Sequence, residues 1–127
     1  MNFQLTEEQI AVQLAARDFA RTELLPGVIE RDEKQKFPAE QIKKLGELGF
    51  LGMMVDPKYG GSGMDTISYV LAMEEISKID ASVSVCMSVN NYNRIQMVWL
   101  AAVGKPTMLY SNAGVLWHIL SPYTILG

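Results

Sequence analysis

The sequence has one cysteine, one histidine and, beyond Asp80, no carboxylate side chain. Cys86 alone excludes an internal disulfide and a thiolate cluster, and His118 alone cannot hold a metal, so no Cys/His metal centre is expected. Eleven basic against fourteen acidic residues give a net charge of −3, which leaves no basic surface for a nucleic acid. The first residues, Met1 to Glu8, lack a basic stretch followed by an apolar run. A secretory signal is therefore not expected, which implies an intracellular protein, cytoplasmic or, in a eukaryote, of the mitochondrial matrix. Glycines 60, 61 and 63 stand in neither of the spacings that cradle phosphates, G-x-G-x-x-G and G-x-x-x-x-G-K-[ST], and no clear strand precedes them. A helix-to-helix connector is the better reading of that loop.

What is present suits one globular core: 127 residues, 49% hydrophobic and 20% charged. Charge is unevenly distributed. All fourteen acidic residues lie at or before Asp80, and only Arg94 and Lys105 carry full charge after it. Soluble domains do not ordinarily segregate charge so completely, so the first ninety or so residues and the tail are separate problems.

Thr6-Glu7-Glu8-Gln9 fits a capping box that opens a helix over about 7–24, with Ala11, Val12, Ala15, Ala16, Phe19 and Ala20 on one face and Ile10 and Leu14 on another. Pro26-Gly27 ends it, and the charged run from Glu30 to Lys36 reads as a solvated linker. Pro38 opens a second helix whose buried stripe is Ile42, Leu45 and Leu48, and Gly49 stops it. Phe50 to Val55 is a short buried apolar run, read as irregular or single-turn structure. Asp56 to Gly63 must turn, because Pro57 removes Asp56 from the helical region and three glycines follow. Asp65 is the expected N-cap of a third helix from Thr66 to about Ile79, apolar nearly all round and so central and largely buried. Glu74 and Glu75 project about 100° apart on it and do not converge on one substrate atom. A structural role is expected for them, one hydrogen-bonded and one at a rim. Ser82 to Val89 alternates like a strand, yet a lone strand in a helical domain cannot satisfy its backbone.

These segments together resemble one family. Thr6-Glu7-Glu8-Gln9, Phe37-Pro38, Leu48-Gly49-Phe50-Leu51-Gly52, Lys58-Tyr59-Gly60-Gly61-Ser62-Gly63, Glu74-Glu75-Ile76-Ser77 and Ser88-Val89-Asn90-Asn91, in that order, resemble the N-terminal helical domain of acyl-CoA dehydrogenases. The resemblance covers about residues 1–91. It implies an all-α bundle of about four helices there, with helix through Ser82 to Val89. It further implies a piece of an FAD-dependent enzyme that oxidises the α,β bond of acyl-CoA thioesters, forms homo-tetramers and passes electrons to an electron-transferring flavoprotein. The family's catalytic glutamate and most of its flavin contacts lie in later domains, so no catalytic residue is expected here, and no FAD bound by this chain alone. By position in the family, Val85, Cys86 and Val89 are implied as one wall of the acyl pocket.

From Tyr92 the resemblance is lost and residues 92–127 read as a divergent apolar tail without an assignable domain. A frameshift or misread frame would end the resemblance and the carboxylates together, and sequencing through the codons for Asn91 and Tyr92 tests that. Thr107 to Leu126 is apolar but interrupted by Asn112, His118, Ser121 and Pro122, so a membrane span is not expected. Trp99, Trp117 and His118 read as packing residues, and Gly104 to Thr107 as a turn. The alternative function is a free-standing helical interaction or lipid-binding module that performs no reaction.

Overall fold

The computed structural model describes residues 4–103, with side chains through Ile95. Helix α1 (Glu7–Phe19) begins as its sequence dictates. The Thr6 hydroxyl accepts from the Gln9 amide at 3.2 Å while the Gln9 side chain accepts from the Thr6 amide at 3.0 Å. The next turn, Ala20–Leu24, is π-helical, the Leu25 amide reaching back to the Ala20 carbonyl. The expected helix over 7–24 is thus helical throughout, with a wider last turn.

The charged run from Glu30 to Lys36 is solvated as expected except at Arg31, but its first part is helical rather than a plain linker. Val28–Glu33 forms a short helix, α2, and Arg31 is only 11% exposed, although Glu30, Asp32 and Glu33 stay in solvent. The reason is long-range: its guanidinium finds the Asp80 carboxylate, 49 residues away. Helix α3 (Ala39–Glu47) buries Ile42 and Leu45 as its periodicity requires. Leu48 departs from the expected stripe and is 57% exposed, because it lies past the last helical turn, where the chain is already swinging into the left-handed Gly49.

Phe50–Gly52 is a single 3₁₀ turn, and Phe50, Leu51, Met53 and Val55 are all buried. The glycine loop folds back on this run. Ser62, Gly63 and Met64 amides donate to the Gly52, Val55 and Met53 carbonyls at 3.0, 2.9 and 2.7 Å. Gly61 lies so close that a Cβ there would fall on the Val55 carbonyl.

Asp65 caps α4 (Thr66–Ser77), accepting from the Ser68 amide at 2.8 Å. Its other carboxylate oxygen accepts from the Gln9 side chain at 2.7 Å, which joins the starts of α1 and α4. Helix α4 is not buried all round as expected: Ser68, Ala72, Glu75 and Ile76 are buried, while Ile67 and Val70 are more than half exposed. Among the described residues α1 and α5 (Ala81–Val103) are the main neighbours of α4, and they cover one side of it.

Helix α5 confirms helix over strand for Ser82 to Val89 and continues without a break past the Asn91–Tyr92 junction. Its inward face carries Val83, Met87 and Asn91. Val83 and Met87 join Val12, Ala16, Phe19, Leu24, Ile42, Leu45 and Ile76 in one core, and the described fold is all-α. No described helix is long and apolar enough to cross a membrane. The expectations for Gly104 to Leu126, and for the Trp99 side chain, fall outside the described residues.

Candidate functional site

Val85 and Val89 stand one turn apart on α5, opposite the Val83, Met87 and Asn91 face, and are 59% and 43% exposed. Tyr92 extends the same stripe. Cys86 is half-buried and packs on the core; burial pushes its thiol up, and the Asp80 carboxylate adds to this. Cys86 is therefore a protonated, inert packing group near neutral pH. Val85 and Val89 are brought together on an apolar, outward surface, with Cys86 at its inner edge.

Asn91 fixes which way this helix faces. Wholly buried, it accepts from the Met53 amide at 2.8 Å and donates to the Phe50 and Met87 carbonyls at 2.8 and 3.0 Å. The apolar run and the glycine loop hanging from it are thereby clamped to α5, and with that register the valines point away from the core. Nothing local marks Asn91 as a clamp; its place in the Ser88–Asn91 motif is the only signal the sequence offers for it.

The two buried carboxylates, Glu75 and Asp80, are poorly suited to removing a proton. Glu75 is buried and accepts from the Arg17 Nε and Nη2 at 3.0 and 2.9 Å, from Gln13 at 3.1 Å and from Lys78 at 3.2 Å. The Arg17 hydrogen bonds, against the opposing effect of burial and with help from Lys78, lower its pKa to about 2. Glu74 is half-exposed and paired with Lys78, so the expectation of one bonded and one rim glutamate holds. Burial pushes the Asp80 carboxyl up, but hydrogen bonds from Ser82, Arg31 and the Val83 amide outweigh it and leave the carboxyl below the usual range. Among the described residues no three His, Cys, Asp or Glu gather as metal ligands.

Nor does the glycine loop fit a phosphate or a flavin's pyrophosphate. The amides from Tyr59 to Met64 all donate to backbone carbonyls of the loop and the Gly52–Val55 turn, so none points outward to cradle an anion.

Comparison with known proteins gives this arrangement its relatives. The family model described as "Acyl-CoA dehydrogenase, N-terminal domain" matches residues 6–107, past the point where the motifs of the sequence stop. The short-chain specific acyl-CoA dehydrogenase of Clostridium acetobutylicum is 42% identical over 88 residues, 69% of this chain and 23% of that one. The mitochondrial short-chain specific enzyme of Bos taurus is 46% identical over 88 residues, 69% and 21% of the two chains. Butyryl-CoA dehydrogenase from Megasphaera elsdenii superposes with a TM-score of 0.65 at 43% identity, covering 69% of this chain and 24% of that structure. The chain thus spans under a quarter of the length of these relatives. With the family's N-terminal pattern present from the Thr6 cap into α5, this chain belongs to the acyl-CoA dehydrogenase family, through its N-terminal domain.

Proposed function

We propose that this chain is the N-terminal part of an FAD-dependent acyl-CoA dehydrogenase and supplies one wall of the acyl pocket, made by Val85, Val89 and the edge of Cys86. The observation that carries this reading is the outward apolar stripe of α5, exposed in a chain that spans under a quarter of its relatives' length. A surface of this kind is complete only when further structure covers it. Acyl-CoA oxidation needs a base at the α-carbon, while FAD supplies the hydride acceptor when bound. The buried Glu75, ionised to about pH 2, is too weak and too enclosed to be that base, and the loop amides hold no pyrophosphate. On this reading the chain contributes shape to the reaction and performs none of it alone.

Purified chain given C4 to C16 acyl-CoA substrates, FAD and an artificial electron acceptor is expected to form no enoyl-CoA. Joined to the remaining three quarters of a relative, it is expected to load flavin and turn over. In that joined enzyme Val89→Trp should shorten the preferred acyl chain, each excluded methylene worth roughly 1 to 3 kcal/mol of discrimination in kcat/KM. Turnover by the chain alone would overturn its inactivity, and an unaltered chain-length profile in a folded, flavin-loaded variant would return Val89 to a packing role. A soluble, monodisperse chain that fails to complement supports the alternative interaction module.

A further inference from the structure

We propose that α2 and its flanking turns, residues 27–36, form a hinged flap that Arg31 latches over a cleft between α2 and the α4–α5 junction. The cleft has a volume of about 550 Å³ and is walled by Val28, Phe37, Ile79 and Ala81, with Arg31 and Asp80 among its lining.

Four observations carry the proposal. First, α2 has no buried residue, so the apolar anchorage that holds the other helices is absent from it. Second, both ends of the segment are in the left-handed region: Gly27 has φ 77°, and Gln35, with φ 50°, is the only non-glycine residue of positive φ among those described. A side chain held there stores strain that a hinge motion releases.

Third, beyond the Val28 amide, which donates to the neighbouring Leu25 carbonyl, the side-chain hydrogen bonds leaving the segment, among the described residues, come from Arg31. Its Nη1 donates to the Pro26 carbonyl at 3.0 Å, and its Nη2 to the Leu24 carbonyl at 2.6 Å and to Asp80 Oδ2 at 3.1 Å. One guanidinium thus joins the carbonyl end of the first helical stretch to the residue that caps α5, since Asp80 Oδ1 accepts from the Ser82 and Val83 amides. Fourth, the Arg31 Nε is buried without a partner. Opening returns that donor to water and offsets part of the cost of breaking the latch. The open form uncovers Ile79, which is partly buried here, while leaving the core of α1, α4 and α5 closed.

Amide hydrogen exchange on the 127-residue chain tests this. The Arg31, Lys34 and Lys36 amides, which donate to the Gly27, Glu30 and Arg31 carbonyls, report the flap. In the unaltered chain they are expected to exchange at a rate indifferent to low denaturant, whereas amides of Met87 to Asn91 follow global unfolding. Arg31→Gln is expected to speed the Lys34 and Lys36 amides about ten-fold or more, the loss of charge-assisted hydrogen bonds, and to leave α4 unchanged. Flap amides that share the denaturant dependence of α5 in the unaltered chain would overturn the proposal, whether or not the variant folds. So would an Arg31→Gln variant in which α4 accelerates as much as the flap.

Discussion

Asn91 and Arg31 each tie a distant segment to α5 or its cap, and the two segments are held in different ways. The run clamped by Asn91 also buries Phe50, Leu51, Met53 and Val55, so its hydrogen bonds act on a segment already fixed by apolar burial. The segment latched by Arg31 has charged and exposed residues on α2 and a cleft beneath it. A polar contact rigidifies where burial supports it and acts as a releasable catch where burial does not. That contrast separates a part of the fold that sets the direction of Val85 and Val89 from a part that can move without disturbing them.

The largest expected effect breaks the clamped side. Gly61→Val drives a side chain into the Val55 carbonyl and should cost more than about 3 kcal/mol, or prevent folding. Gly60→Ala, at φ 80° with open space around it, should cost only about 1 to 2 kcal/mol. Denaturant midpoints of the two variants give the comparison, and equal losses would show that close approach is not what Gly61 provides.

Next comes the clamp itself. Asn91→Leu leaves the Met53 amide and the Phe50 carbonyl buried without partners, an expected loss of about 2 to 4 kcal/mol. The global midpoint of Arg31→Gln should move less than that of Asn91→Leu. If Arg31→Gln is the more damaging globally, the distinction between clamp and latch fails.

Acid sharpens the comparison with a third junction, where Glu75 joins α4 to α1 through Arg17. Its folded pKa of about 2 lies below the ordinary 4.5, so its contribution is fully present above about pH 4.5 and is lost as pH falls towards 2. Glu75→Gln should lower stability at pH 7 by about 2 kcal/mol and flatten the decline between pH 4.5 and 2. Urea unfolding across that range checks it, and an unchanged slope would place the acid sensitivity elsewhere.

The smallest effect lies on the outward face of α5. Val85→Ser and Val89→Ser should each change the stability of this chain by less than about 0.5 kcal/mol. Val83→Ala, on the buried face, should cost about 1 to 3 kcal/mol by the same thermal or denaturant measurement. Equal costs on the two faces would mean that the valine stripe is packed in this chain and is no open wall.

The sequence by itself determined where helices begin and where the chain must turn. The Thr6 box, the Asp65 cap, the end at Gly49 and the loop after Asp56 act through groups a few residues apart, and local geometry suffices to predict them. The different fates of Glu74 and Glu75 were legible for the same reason, since adjacent helical positions cannot share one environment. The proposed acyl wall rests on the family resemblance, because nothing in Val85, Cys86 and Val89 taken alone separates a pocket wall from a core. Only the tertiary structure decided that Ile67 and Val70 face outward, that Arg31 leaves solvent, and that Asn91 reads the backbone of the Phe50 turn. These depend on partners 38 to 49 residues away, or on which side of a helix its neighbours cover, and periodicity carries neither kind of information.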